Sequence, residues 1–564
     1  MDWIGGGEPG MGVLRIKGGT VYDPARGVDG IVADVWIVDG RVVPSPDDPG
    51  ARADLTIDAR GDAVMPAGVD LHCHIAGPKV NAARIMRPEE ARVAPEPRAG
   101  SMRSGTLGSV PSTFTTGYRY AGLGYATAVD AAVPALGARH AHQELDDTPV
   151  IDKAMLILMG NNHYAMDRIR EGARGRLKDY LAWVLGATRG YGLKVVNPGG
   201  VETWKQGKGT LAGLDDTVDG FGVSPRQILT EIARASTELG LPHPLHLHGL
   251  NLGVPGNAGI TLETLKAMDG LRAHFAHIQF HSYSGEPGDL NKFGSGVPEL
   301  ADWVNTHEGV SVDVGQLVFG ETTSMTADGA VGQFLHELTG RKWYSSDVEM
   351  ETGCGVVPIT YEDTNAVHAL QWAIGLEWYL RVDDPWRVVM STDHPNGGSF
   401  LAYPQVIALL MDRGLRTEML DRLPASVRDR CGLGELSREY SLSEIAIITR
   451  AGPARLLGLD RKGHLGPGAD GDVTIYRPDV DKRRMFSLPR YLIKAGRVVL
   501  DDGALRDVPT GQTLHAAPGY DEAEVGPIGD WFREHYSMSF ANYPLADDEL
   551  PNARALTRET GGPR

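Results

Sequence analysis

Short apolar runs recur through the middle of this chain and alternate with segments of helical length. The clearest helix is predicted behind Ser224, where a proline stands at the first helical position. Eight strand-and-helix units of this kind are typical of an α/β fold, a (β/α)₈ TIM barrel, whose functional side chains lie at the C-terminal ends of the strands. The predicted strands lie near residues 64–73, 124–133, 151–160, 192–196, 244–248, 273–281, 310–319 and 387–393.

The two ends of the chain have a different pattern, with apolar and polar positions alternating over short distances. Near the N-terminus we predict strands at 12–22 and 31–43, with turns at Gly18-Gly19 and Asp39-Gly40. Residues 463–476 and 491–502 have the same character. We therefore predict a small β-sandwich that is formed jointly by the N-terminal and C-terminal segments.

These patterns divide the chain into a barrel and the parts around it. We expect insertions in the barrel near 76–117 and 320–386, the first of them passing over the barrel mouth. A docking helix is expected near residues 531–536 of the C-terminal extension. The predicted divisions are 1–65 and 456–514 for the sandwich, 66–455 for the barrel and 515–564 for the extension.

Composition excludes several classes of function. The chain has 564 residues, of which 55 are basic and 73 acidic, and the resulting net charge of −18 argues against nucleic-acid binding by phosphate neutralisation. Only three cysteines are present, too few for a disulfide framework or for the roughly four thiolates of an iron–sulfur cluster. No leader segment and no apolar stretch of membrane-spanning length is evident, so we expect a cytoplasmic protein without membrane contact.

Side chains that can bind metal ions stand at the ends of five predicted strands. His72 and His74 are two positions apart, so a strand directs both to one side. On the fifth strand, His246 and His248 both point inward if the strand is regular. The sequence therefore predicts a metal site at the barrel mouth, and the remaining candidate ligands are Lys194, His277 and Asp393.

This order of groups resembles the metal-dependent amidohydrolase superfamily. Residues 466–472 are similar to its Gly-x-x-Ala-Asp signature, although Gly471 stands where an aliphatic residue is usual. Residues 191–200, 248–257 and 277–283 resemble the A subunits of formylmethanofuran dehydrogenase and, equally, of the bacterial formyltransferase/hydrolase complex.

The resemblance implies an enzyme with two Zn²⁺ ions bridged by a carboxylated Lys194. One zinc would be held by His72, His74 and Asp393. The other would be held by His277 and a strand-five histidine, for which we favour His246.

The implied reaction is the reversible hydrolysis of an N-formyl amide on a methanofuran-type carrier, which gives formate and the free amine. In that reaction a metal-activated water attacks the formyl carbon, and Asp393 acts first as general base and then as general acid. His248 is expected beside the metals or in contact with the substrate, and it completes the predicted catalytic set with Asp393 and Lys194.

Substrate and partner contacts are also implied. Asn197, Asn251 and Gln279 are candidate substrate contacts. A basic segment follows the first strand, and we expect it to attract a carboxylate-rich carrier tail, or alternatively to be a flexible loop or to contact another protein of the complex. Other subunits of the complex are implied partners, and we favour the hydrolase complex over the dehydrogenase. The basic residues are Lys79, Arg84, Arg87, Arg92, Arg98 and Arg103.

Two alternative functions share parts of this pattern. A cyclic amidase of the dihydroorotase or hydantoinase type would use the same metal ligands, but it would not account for residues 197–200 and 279–283. A non-catalytic scaffold subunit could keep the barrel, but it would have no chemical need for candidates at every metal position.

Overall fold

The computed structural model describes residues 12–556 except 49, 94, 287–288, 290–291 and 346–354. Cys354 and the two ends of the chain, 1–11 and 557–564, therefore lie outside the described residues, as does part of the predicted insertion at 320–386.

Eight parallel strands pair side by side in the order in which they occur along the chain. A backbone bridge between Cys73 and His394 joins the first strand to the segment after the eighth, and the His74 N–H donates to the His394 carbonyl at 2.7 Å. The predicted (β/α)₈ barrel is confirmed. Barrel strands one to eight are Gly68–Cys73, Tyr125–Val133, Asp152–Leu158, Gly192–Val196, Leu245–His248, Ala273–Phe275, Val310–Asp313 and Val388–Val389.

Helices connect the barrel strands and bury their apolar sides in one large core. The helix behind Ser224 begins with a capping box, in which the Ser224 and Gln227 side chains each bind the other residue's backbone N–H. The main barrel helices are Pro78–Met86, Thr113–Gly122, Ala138–Asp147, His163–Arg170, Arg174–Thr188, Pro225–Glu238, Ala258–Ala267, Val297–Thr306, Ala366–Arg381, Tyr403–Met411, Arg413–Arg422 and Gly452–Leu457.

Strands from both chain ends form one nine-stranded sheet beside the barrel. The N-terminal and C-terminal parts join where Ala63–Pro66 pairs antiparallel with Val473–Tyr476. The sheet curls around its own apolar core, and the Gly471 N–H donates to the Gly40 carbonyl at 2.7 Å. Its strands are Val13–Asp23, Val28–Val38, Arg41–Val43, Leu55–Asp58, Ala63–Pro66, Val473–Tyr476, Pro489–Lys494, Arg497–Asp501 and Ala504–Leu505.

Of the two turns predicted in this sheet, one is present and the other is absent. Asp39 and Gly40 both have positive φ and connect two antiparallel strands, as expected for a tight hairpin. Gly18-Gly19 does not reverse the chain. The register shifts between Ile16 and Gly19 while Gly18 takes φ 68°, so the glycine pair forms a bulge within a single long strand.

The curled sheet and the barrel are joined by backbone and by charge. The apolar run at residues 63–73 is two strands separated by Ala67 alone, the first in the sheet and the second in the barrel. Beneath the barrel, buried Asp152 lies 2.7 Å from the Lys494 ammonium, which is also 3.0 Å from Asp472. Because this ammonium lies beside both carboxylates, it offsets their desolvation where the sheet meets the barrel.

The second predicted insertion covers much of the barrel mouth. It contains a hairpin of Gly320–Thr326 and Gly355–Tyr361, with the helix Gly329–Thr339 packed against it. The Asn396 side chain accepts from the Met325 N–H, and the Tyr361 hydroxyl donates to the Asn396 carbonyl at 3.1 Å. The hairpin is thereby attached to the loop that follows barrel strand eight.

The C-terminal extension packs against the outside of the barrel. Thr513–Ala516 lies parallel to barrel strand three, and the helix Val525–His535 follows it. Trp531 contacts Tyr164 edge-to-face at 5.2 Å and donates to Asp167 at 3.1 Å, so this helix docks as predicted. Among the described helices, none has both the length and the apolar content needed to cross a bilayer.

Candidate metal centre

The C-terminal ends of barrel strands one, four, five, six and eight converge on one buried point. The first and eighth strands bring two imidazoles to a single carboxylate oxygen. His72 Nε2 lies 3.0 Å and His74 Nε2 3.1 Å from Asp393 Oδ1. Unprotonated imidazole nitrogens and a carboxylate oxygen repel one another at such distances unless a proton or a cation lies between them. This arrangement therefore fits a bound cation.

Three further donors at this point are buried without a hydrogen bond to any described residue. They are Lys194 Nζ, His248 Nε2 and His277 Nδ1. A buried polar atom without a hydrogen-bond partner costs free energy of folding. These three atoms are therefore candidates to bind a metal ion or another ligand. Burial also lowers the pKa of Lys194 to about 7, which makes its neutral, nucleophilic amine available near neutral pH.

The candidate ligand atoms form three overlapping sets. One of them, made of His72, His246 and Asp313, does not reach the cavity, and the other two contain cavity-lining residues. In these two, atoms of His72, His277 and Asp393 lie within 4.8 Å of one another, and so do atoms of His248, His277 and His281. Because His277 belongs to both of the cavity-lining sets, the donors extend over more space than one ion occupies. The donor set fits a metal centre.

His246 lies deeper in the barrel than His248. Its Nε2 is 3.2 Å from His72 Nδ1 and its Nδ1 is 3.0 Å from His243 Nε2, so both of its ring nitrogens are engaged. His248, in contrast, lines the cavity at the barrel mouth. This arrangement differs from the sequence-based preference for His246, because the regular strand places the two rings at different depths.

Four residues other than glycine at this end of the barrel have left-handed backbone conformations. Asn197 has φ 41°, Asn251 φ 56°, His277 φ 33° and Asp393 φ 50°. Positive φ costs a residue other than glycine on the order of 1–3 kcal/mol, and such strain concentrates at functional sites. At His277 the conformation is held by its backbone N–H, which donates to Asp313 Oδ1 at 2.9 Å.

A cavity of about 340 Å³ leads from these residues toward the surface. His74, Lys194 and Asp393 form its inner end. Its outer wall is mainly apolar and comes partly from the hairpin and helix of residues 320–361. Such a cavity suits a small polar group that is carried on an apolar body. The outer wall includes Phe280, Phe293, Met325, Phe334, Leu338 and Ile359.

The three predicted amide contacts do not line this cavity. Asn197 hydrogen-bonds the buried carboxyl of Asp328. The Asn251 carbonyl accepts from the Asn257 side chain at 2.9 Å. Gln279 is fully buried beneath the helix Ala366–Arg381, where its Oε1 accepts from a backbone N–H. Their polar groups therefore shape loops around the site.

The predicted basic segment divides into engaged and exposed side chains. Arg84 is largely buried and donates to Glu144 at 3.1 Å and to the Pro111 carbonyl at 3.1 Å. Arg87 lies 2.7 Å from Glu90 and donates to the Thr322 carbonyl at 2.9 Å. Both guanidinium groups are thus committed to contacts within the chain, and they fix the first insertion to the barrel and to the hairpin. Arg92 and Arg98 are exposed.

Sequence reasoning missed two buried carboxylates close to the ligands. Asp313, at the end of barrel strand seven, lies 2.8 Å from His72 Nδ1. Asp130 accepts from the backbone N–H groups of Ile75 and Ala76 at 2.8 and 3.0 Å, just beyond the first strand. A positional signal was available only for Asp130, which lies in the C-terminal half of its predicted strand. Asp313 lies in the N-terminal half of the predicted strand 310–319, whereas the observed strand Val310–Asp313 ends at it.

The chain is similar to known proteins over most of its length. The model of the amidohydrolase family matches residues 55–500. Protein FwdA of Methanocaldococcus jannaschii is 42% identical over 569 residues, covering 96% of this chain and 98% of that protein. The A subunit of the formyltransferase/hydrolase complex Fhc of Methylorubrum extorquens is 39% identical over 555 residues, covering 96% and 97%.

A solved structure of one of these relatives' complexes has the same fold as this chain. The crystal structure of the formyltransferase/hydrolase complex FhcABCD from Methylorubrum extorquens, in complex with methylofuran, includes a chain that superimposes with a TM-score of 0.91. That chain is 37% identical, and the match covers 96% of this chain and 99% of that one. The predicted superfamily is confirmed: this chain belongs to the amidohydrolase family.

Proposed function

We propose that this protein is the hydrolase subunit of a formyltransferase/hydrolase complex. It cleaves the formamide of a formylmethanofuran-type carrier to formate and the free amine, and the reaction is reversible. The observation that carries this proposal is the set of unpartnered donors, Lys194 Nζ, His248 Nε2 and His277 Nδ1, at the inner end of the cavity. Full-length similarity to the Methylorubrum extorquens protein supports the choice of substrate class.

We assign two Zn²⁺ ions to the centre. His72, His74 and Asp393 hold one ion, and His248 with His277 holds the other. His248 replaces His246 in this assignment because His248 has the free nitrogen that faces the cavity. A carboxylated Lys194 would hold both ions, since an unmodified amine has a single lone pair and cannot bind two cations.

The bound metal pair supplies the positive charge that lowers the pKa of a water molecule and polarises the formyl oxygen. The residues of the chain transfer the proton and exclude bulk water. The Asp393 carboxylate takes the proton from the attacking water and returns it to the leaving amine nitrogen. The apolar outer wall holds the body of the carrier and excludes bulk water from the reacting group.

The same relatives support a proposal for the partners of this chain and for its location in the cell. The chain acts together with other subunits of the complex, in the cytoplasm. Arg92, Arg98 and Arg103 are the exposed arginines of the basic segment, and Arg103 also lies 3.8 Å from Asp147. Arg92 and Arg98 attract a carboxylate-rich tail, since Arg84 and Arg87 are committed to internal contacts.

Metal analysis and a substrate comparison test the proposal. The full chain, purified with its partner subunits, is expected to contain two zinc ions per copy and to release formate from an N-formyl aminomethylfuran. Dihydroorotate and hydantoin serve as comparison substrates. Faster cleavage of either cyclic amide would favour a cyclic amidase, and a complex without stoichiometric metal in this chain would favour a scaffold.

A further inference from the structure

Asp313 is a buried carboxylate with no part in the chemistry described above. It ends barrel strand seven and is inaccessible to solvent. Its two oxygens contact groups on strand one, on strand six and the residues after it, and just after strand eight. One side chain on strand seven therefore connects four neighbouring parts of the barrel. The contacts are His72 Nδ1 at 2.8 Å, His274 Nε2 at 3.1 Å, the His277 backbone N–H at 2.9 Å and Ser391 Oγ at 2.6 Å.

A chain of imidazole rings reaches the same point from the bottom of the barrel. His243 Nδ1 lies 3.0 Å from the Leu456 carbonyl, which can only accept, so this nitrogen carries a proton. In a neutral ring, His243 Nε2 then accepts from His246 Nδ1 at 3.0 Å. His246 Nε2 is left as an acceptor, and it faces His72 Nδ1 at 3.2 Å.

Both neighbours of His72 Nδ1 are therefore acceptors. Asp313 Oδ2 lies on one side and His246 Nε2 on the other, so the proton of His72 is held on Nδ1. The lone pair of the neutral ring is then on Nε2, the nitrogen that lies 3.0 Å from Asp393. The contacts to Asp313 and His246 also restrict rotation of the ring.

We propose that Asp313 is a positioning residue of the metal centre. Together with the His243–His246 pair, it fixes the tautomer and orientation of His72 so that Nε2 is presented as a ligand. This inference rests on the metal centre of the proposed function. A purely structural role, in which Asp313 only joins barrel strands, would not depend on which nitrogen of His72 carries the proton.

The variant Asp313→Asn tests the proposal, because an amide places a donor where the structure requires an acceptor. Its matched control is Ser391→Ala, which removes a hydrogen bond from the other oxygen of the same carboxylate. Affinity for Zn²⁺ is measured by competition with a chromophoric chelator. In the Zn²⁺-loaded full chain, imidazole ¹⁵N shifts, assigned with His72→Asn, report which His72 nitrogen carries the proton without any need for activity.

We expect Asp313→Asn to weaken Zn²⁺ binding by about 10- to 100-fold and to move the His72 proton away from Nδ1. Ser391→Ala is expected to stay within about twofold of wild type. If Asp313→Asn does not fold, His243→Phe provides the test. It removes His243 Nε2, the acceptor for His246 Nδ1–H, so the proton of His246 is no longer held on Nδ1. Zn²⁺ binding should then also be weaker than in wild type. Wild-type affinity and tautomer in the folded variants would overturn the proposal. A wild-type chain that binds no Zn²⁺ would instead refute the proposed function, on which this inference rests.

Discussion

His246 and His248 project from one strand toward the barrel interior, but only His248 reaches the cavity. The two rings differ in their partners. His246 uses both nitrogens in contacts with other histidines, whereas His248 Nε2 makes no hydrogen bond to a described residue and lies 3.7 Å from Asp328. We propose that this difference in depth along the barrel axis makes His248 a ligand and His246 a supporting residue.

A pair of substitutions on this strand tests the distinction. We expect His248→Asn to lose one of two zinc ions per chain, because it removes a ligand that faces the cavity. His246→Asn should keep both ions and bind them more weakly, by about 10- to 100-fold, because it removes only support for His72. Metal content after gel filtration distinguishes the two. The opposite pattern would return His246 to the ligand set.

The proposed proton transfer predicts a large kinetic effect at Asp393. The variant Asp393→Asn should lower kcat by at least about 10²- to 10⁴-fold, since an amide cannot take the proton of the attacking water. Formate release at saturating substrate measures the change. The matched control is Asp383→Asn, an exposed aspartate before the same strand, which should leave kcat unchanged. Equal activity of the two variants would remove Asp393 from the mechanism.

Carboxylation of Lys194 can be observed directly. After equilibration with ¹³C-bicarbonate, the wild-type chain should show a carbamate carbon signal by NMR, because burial lowers the pKa of Lys194 to about 7 and a large fraction of the amine is then uncharged near neutral pH. Lys194→Met should lack this signal and bind less zinc. The control Lys153→Met removes another buried lysine of the barrel and should retain the signal. A wild-type spectrum without the signal would exclude the modification under those conditions.

His142 makes the stability of the fold sensitive to acid. Burial lowers its pKa to about 4 from an ordinary value of 6.5. Below pH 6.5 the unfolded chain takes up a proton that the folded protein accepts only near pH 4. This imidazole therefore costs about 3 kcal/mol of stability as the pH falls through that window.

The variant His142→Gln isolates this contribution, because its amide can still donate to the Thr188 carbonyl that His142 contacts at 2.9 Å. We expect the stability advantage of wild type over the variant to shrink as the pH falls from 7 to 4.5, as measured by thermal unfolding. Exposed His140, on the same helix, provides the control His140→Gln, for which the difference should stay constant. A constant difference for both variants would show that the environment of His142 does not shift its titration.

The internal contacts of Arg84 predict a loss of stability. Arg84→Ala removes the guanidinium partner of Glu144 at a largely buried site, a change that typically costs about 3–5 kcal/mol. Because Glu144 keeps its hydrogen bond from the Gly77 N–H, we expect the lower end of that range. The Michaelis constant for the carrier should not change in protein that remains folded, whereas Arg98→Ala, at an exposed position of the same segment, should leave stability unchanged. A higher Michaelis constant with unchanged stability would restore Arg84 to substrate binding.

Periodicity was sufficient to predict the barrel and to identify the strand ends that carry candidate ligands. It could not predict the depth of His246, because a period of two specifies only the side of a strand. Nor could it predict the partners of Arg84, since Glu144 is 60 residues away in sequence. Asp313 was missed because the contacts that make it noteworthy come from other strands.

The single residue between the curled sheet and the barrel has a mechanical consequence. With only Ala67 between two buried strands, the chain has no slack with which to absorb an added or deleted residue. Such a change would reverse the facing of every side chain from there to the next loop. Both imidazoles of the first strand would then turn toward the surrounding helices. The sheet formed by the two chain ends thus fixes the register of the first barrel strand. In this way it keeps the rings of His72 and His74 directed toward the barrel interior.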